Sequence, residues 1–113
     1  MAIDLDRFTI SFPDGYDDRL EFETPSKGYL RDVMVHLDDG SSYKLFFIDP
    51  IRLQQDLQAD VANGREYYAE PGMVVLPEIT TQNIQKAVAG LLRESFFEQL
   101  KPLPKAASDK LRG

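Results

Sequence analysis

The stretch YLRDVMVHLDDGSSYKLFFIDPIRLQQDL, residues 29–57, constrains the fold more than any other part of the chain. Two apolar runs, YLRDVMVHL and SYKLFFI, flank the turn sequence DDGS, where Gly40 can supply the positive φ of a tight hairpin. With Leu37 opposite Tyr43, Val35 opposite Leu45 and Val33 opposite Phe47, six apolar side chains share one face. The other face then pairs His36 with Lys44 and Met34 with Phe46, and Ile48 extends its apolar part. A sheet apolar on both sides at one end needs a second cover: a helix, another hairpin or another chain.

The hairpin runs directly into Asp49-Pro50. Proline suits the first helical position, where its missing N–H has no partner anyway. An aspartate just before it accepts a hydrogen bond from the free N–H groups of the first turn, worth about 1 kcal/mol. Ile48 and Leu53 have the spacing of a hydrophobic staple. Leu53, Leu57 and Val61 then recur every four residues, and Gly64 follows as a stop. Asp49 therefore reads as a helix cap rather than a catalytic carboxylate.

Upstream, RFTISF and RLEFET both alternate, around the turn cluster PDGYDD. This predicts a first hairpin, with Leu20, Phe22 and Thr24 on one face, ended by PSKG. Downstream, Pro71-Gly72 fits a type II turn, and MVVL is a short buried strand closed by Pro77. Thr80 caps a long helix whose apolar face holds Ile84, Val88, Leu91, Leu92, Ser95 and Phe96. Gly90 within it suggests close approach to a strand. The order is β-β-β-β-α-β-α, with Tyr67-Tyr68 as a candidate extra strand. The expected fold is α+β: two antiparallel hairpins forming a sheet, followed by a helix, a short strand and a long C-terminal amphipathic helix packed on the sheet. Residues 1–100 are expected to form one compact domain, and 101–113, with two prolines and a polar, partly basic run, a flexible tail.

Composition narrows the function. The chain has 113 residues and no cysteine, which removes disulfides, thiolate nucleophiles and cysteine-ligated zinc. Nineteen acidic residues against thirteen basic ones give a net charge of −6, which argues against nucleic acid and suits docking onto a basic protein. No apolar run reaches the ~18 residues of a membrane span, and the opening MAIDLDRF lacks the pattern of a secretory signal. The expected location is cytoplasmic, with neither membrane nor nucleic acid as partner.

No motif assembles a reaction centre. His36, the one histidine, lies near Asp38 and Lys44 without visible companion ligands or an orienting group, so it reads as a surface residue. The acidic clusters Asp4/Asp6, Asp14/Asp17/Asp18 and Asp38/Asp39 lack a calcium-loop frame and read as turn chemistry. No nucleophile elbow and no glycine-rich phosphate loop occurs. Neither a cofactor nor a metal is expected. The most informative feature is aromatic: GREYYAEPG sets Tyr67 and Tyr68 beside Arg65, the residue types of interface hot spots. The sequence thus points to a small acidic, non-catalytic interaction or regulatory module. It would bind a basic protein, or itself, through Tyr67, Tyr68 and Arg65 with Met34 and Phe46 of the second hairpin's mixed face. The alternative is a small ligand-binding domain or enzyme with His36, Asp38 and Lys44 as its polar groups.

Overall fold

The structure, a computed structural model, describes residues 8–104. It is α+β, with β1 (Phe8–Ser11), α1 (Asp18–Lys27), β2 (Tyr29–Leu37), β3 (Ser42–Ile48), α2 (Pro50–Ala62), β4 (Met73–Val75) and α3 (Thr81–Arg93), then a short 3-10 turn at Phe96–Gln99. The acidic pair Asp4/Asp6 and the stretch 105–113 of the expected tail lie outside the described residues.

The sheet order is β1-β2-β3-β4. β1 and β3 both pair antiparallel with β2, but β4 runs parallel to β3, with Phe46 beside Met73 and Ile48 beside Val75. The sheet is therefore mixed, not a pair of antiparallel hairpins. β3, α2 and β4 form a β-α-β crossover, since parallel neighbours need a long connection. Tyr67-Tyr68 forms no strand.

The first expected hairpin is the larger correction. RLEFET is helical, not extended. Asp17 accepts a hydrogen bond from the Leu20 N–H at 2.9 Å, and Gly28 closes the helix in the left-handed region. Asp18 and Glu21 in the first turn and Lys27 in the last complement the helix dipole. The helix buries Thr24 and leaves Phe22 85% exposed, because residues four apart share a helix face whereas residues two apart do not. β1 instead pairs with β2, Phe8 beside Leu37 and Ile10 beside Val35.

The central hairpin forms with a different register. Val35 faces Tyr43, Val33 faces Leu45, Met34 faces Lys44 and His36 faces Ser42. The Leu37 N–H donates to the Ser41 carbonyl, so the loop is only Asp38–Gly40, with Gly40 at φ 91°. A three-residue loop with a left-handed last position shifts the pairing by two residues, which preserves the face of every side chain. Further along, the register slips between Leu30 and Val33. Two β2 residues, Arg31 and Asp32, oppose Phe46 there, and Asp32 takes φ 59°.

One face of the sheet carries the main core. Val33, Val35, Leu45 and Phe47 pack with Ile84 and Val88 of α3. Phe97 closes the end, its ring centre 4.9 Å from that of Tyr43. Both predicted helix caps form: Asp49 accepts from the Arg52 N–H at 2.7 Å, and Thr80 from the Asn83 N–H at 3.0 Å. Gly90 does not serve close packing; a Cβ there would meet only the tip of Arg93 at 3.8 Å. No helix among the described residues is long and apolar enough to cross a membrane.

Candidate functional site

On the other face the β2 bulge does the positioning. By setting two residues against one, it brings the Arg31 guanidinium over the Phe46 ring, 4.3 Å from its centre. Arg31 forms a bidentate pair with Glu70, and the Tyr68 hydroxyl donates to the same carboxylate at 2.5 Å. The connection from α2 to β4 is thereby clamped onto β2. The Arg31 hydrogen bond holds the Glu70 carboxyl below its usual range. Burial, reinforced by the hydrogen bond to Glu70, pushes the Tyr68 phenol up to about 12. Pro71-Gly72 makes the predicted turn, with Gly72 at φ 73°, and Gly72 lies so close to the Lys44 carbonyl that a Cβ would sit 2.4 Å from it.

A cleft of about 570 Å³ opens beside this clamp, around the part of β3 that β4 leaves unpaired. Arg31, Asp32, Lys44, Glu70 and Lys101 supply its charge, and Leu100, Leu103 and Pro71 much of its apolar wall. The Leu103 N–H donates to the Ser42 carbonyl, so residues at the start of the expected tail line the cleft. Lys44 reaches Asp32 at 3.6 Å.

Of the residues expected to act together, Tyr68 and Phe46 are joined through Glu70 and Arg31, Arg65 and Tyr67 pair with each other, and His36 stands apart. Phe46 is buried under Arg31, and Met34 is half-buried. Tyr68 is half-buried and tied to Glu70; Tyr67 is 59% exposed, with the Arg65 guanidinium 4.7 Å from its ring centre. Arg65 also approaches Asp60 at 3.9 Å, which places this pair beside the end of α2. His36 lies on the polar part of the sheet face. Its Nδ1 meets Ser42 Oγ at 2.8 Å and its Nε2 meets Ser11 Oγ at 3.0 Å, a row of hydrogen bonds across three strands. Asp38 is exposed in the hairpin loop, and of the three polar candidates only Lys44 borders the cleft. Among the described residues no three His, Asp or Glu side chains converge as a metal site would require.

The feature that periodicity alone did not orient is α2. Leu53, Leu57 and Val61 recur every four residues along it, yet no residue of the helix is buried. Ile51 is 70% exposed, Val61 54% and Leu57 38%. The helix instead turns its charged side inward. Arg52 lies over the Tyr29 ring at 4.5 Å and pairs with Asp56 at 3.0 Å, and Asp60 meets Arg65. At 100° per residue, Leu57, Val61, Gln54, Gln58 and Ile51 follow one another around the opposite side of the helix, while Leu53, half-buried, lies beside Asp60. The exposed arc thus carries no formal charge. A surface helix usually has the reverse polarity. Comparison with family models, curated proteins and solved structures finds no match to this chain.

Proposed function

We propose that the protein is a small non-catalytic interaction module that binds another protein chain through the exposed face of α2 and the adjoining Arg65–Tyr67 segment. The observation that carries this reading is the inverted helix: a 13-residue amphipathic helix with no buried residue, its Ile51, Leu57 and Val61 side chains exposed and its Arg52 and Asp56 side chains turned inward. Apolar surface left in water costs roughly 25 cal/mol per Å², and a protein that presents it contiguously commonly does so for a partner. Tyr67 and Arg65 add the aromatic and guanidinium groups that dominate interface energetics. The acidic loops around Asp17 and Asp38 lie on other segments and would act at longer range, steering approach to positively charged surfaces.

The test is site-specific photo-crosslinking from position 57 in the producing cell, with the residue replaced by p-benzoylphenylalanine. A discrete protein adduct is expected, together with its loss when Val61→Asp is added. Absence of any adduct at position 57 and at position 61 would overturn the reading.

A second reading, ligand binding, is favoured by the cleft beside Arg31 and Lys44 rather than by the surroundings of His36. A small-molecule thermal shift abolished by Lys44→Ala, with α2 crosslinking unchanged, would separate it from the first.

A further inference from the structure

We propose that residues 101–104 are an edge guard built into the chain. Leu103 completes the pairing of β3, and the prolines on either side of it stop a further strand, above all that of a second copy, from being added there. This stands independently of the α2 reading.

The need for a guard follows from β3 itself. SYKLFFI is rich in β-forming residues, holds a single charge and has neither proline nor glycine, the composition of segments that stack into intermolecular sheets. The outer strands of the sheet are blunted by shortness: β1 has four residues and β4 three, the latter set between Pro71-Gly72 and Pro77. A short β4 covers only part of β3, pairing with Phe46, Phe47 and Ile48. Alternate residues of β3 turn their backbone groups toward this edge. The Ile48 carbonyl accepts from the Leu76 N–H, and the Phe46 N–H donates to the Gly72 carbonyl, both at 2.9 Å. Gly72 also closes against the Lys44 carbonyl. Ser42 is next in that row, and its carbonyl accepts from the Leu103 N–H at 2.8 Å. Leu103 thus continues the line where β4 stops.

The segment is held and shaped for this place. Phe97 is buried in the core, Leu100 packs against it, and Leu103 is half-buried in the cleft wall, while Lys101, Pro102 and Pro104 are exposed. A residue before proline is pushed toward extended backbone, which sets both Lys101 and Leu103 for an edge strand. Proline has no N–H. Leu103 already donates to Ser42, so residues 102–104 keep no donor for another strand. Prolines and a lysine are the residues by which natural sheet edges refuse partners.

The test uses the full chain. Pro102→Val combined with Pro104→Val gives the segment two new donors and β-forming side chains at exposed positions. Sedimentation velocity from about 5 to about 500 µM should show self-association strengthened about tenfold or more, with the circular dichroism and thermal midpoint of the unsubstituted chain. Leu103→Ser should loosen the guard and uncover Ser42, so that thioflavin-binding aggregate grows faster well below the thermal midpoint of the variant. In the unsubstituted chain, the Leu103 amide should exchange at least about tenfold below its intrinsic rate by nuclear magnetic resonance. A Leu103 amide exchanging at its intrinsic rate overturns the inference. So does a double valine variant that associates no more than the unsubstituted chain, or a Leu103→Ser chain that aggregates no faster. Should either variant fail to fold, the exchange of the Leu103 amide still decides.

Discussion

Two glycines of this chain respond oppositely to the same substitution. Gly28 ends α1 at φ 81°, and a Cβ there would lie 2.8 Å from Asp49 Oδ2 and 2.9 Å from Arg52 Cβ. Gly28→Ala therefore combines left-handed strain with a clash against the cap of α2. We expect a loss of about 1–3 kcal/mol in urea denaturation. Gly90 sits inside α3 with room around it, so Gly90→Ala should gain up to about 1 kcal/mol by the same measurement. The sequence marks both positions, but only neighbours distant along the chain tell them apart. Asp49 and Thr80 were legible as caps because a cap is made within three residues of itself. His36 was read from the sequence as a surface residue near Asp38 and Lys44. Its actual partners, Ser11 and Ser42, required the strand pairing to be known.

Elements differ in how much of themselves they reveal. α3 is strongly amphipathic and buries Ile84, Val88 and Ala89, the first two as its periodicity predicts, but it ends at Arg93 rather than continuing through Ser95, which takes φ 59°, to Phe96. α1 was missed because alternation in RLEFET outweighed its termini, although Asp17, the acidic first turn, Lys27 and Gly28 together spell a helix. α2 was identified with its cap and end, but its orientation was not legible: an apolar stripe says which residues share a face, not which way that face turns. Its poor burial has a dynamic consequence. Amide hydrogens of α2 should exchange faster than those of β2, β3 and α3 at low protein concentration, as read by hydrogen-exchange mass spectrometry. The clamp of Arg31, Glu70 and Tyr68 has a pH signature. Tyr68 holds its proton in the folded chain up to about 12, whereas an unfolded tyrosine releases it near ~10. The stability this contributes is complete below about pH 10 and is lost as the pH rises from there through about 12. Tyr68→Phe should flatten that alkaline decline in the denaturation midpoint. Glu70 acts in the other direction: its carboxyl is held low, so its contribution is present above the ordinary glutamate range and is lost as the pH falls through it.

At the scale of the molecule, the mixed sheet has one well-filled face and one that is divided between a polar row at His36 and an apolar corner under Arg31 and α2. The filled face carries the stability. Phe97, 2% exposed against Tyr43, joins the Phe96–Gln99 turn to the sheet. Phe97→Ala should cost about 3–5 kcal/mol, a large share of the 5–15 kcal/mol typical of a domain, and lower the thermal midpoint accordingly. The sequence by itself determined what is local or periodic: the hairpin and the shared face of its side chains, both capped helices, the Pro71-Gly72 turn and the absence of cysteine chemistry. Tertiary structure decided the parallel docking of β4, the helical state of Asp18–Lys27, the two-residue register and the bulge that carries Arg31 over Phe46. It also decided that α2 faces outward with its apolar side. The reason is physical: caps, turns and periodicity depend on residues a few positions apart. Register, strand direction and helix orientation are set by contacts between segments tens of residues apart, where several arrangements satisfy the same local pattern and only the packed whole selects among them.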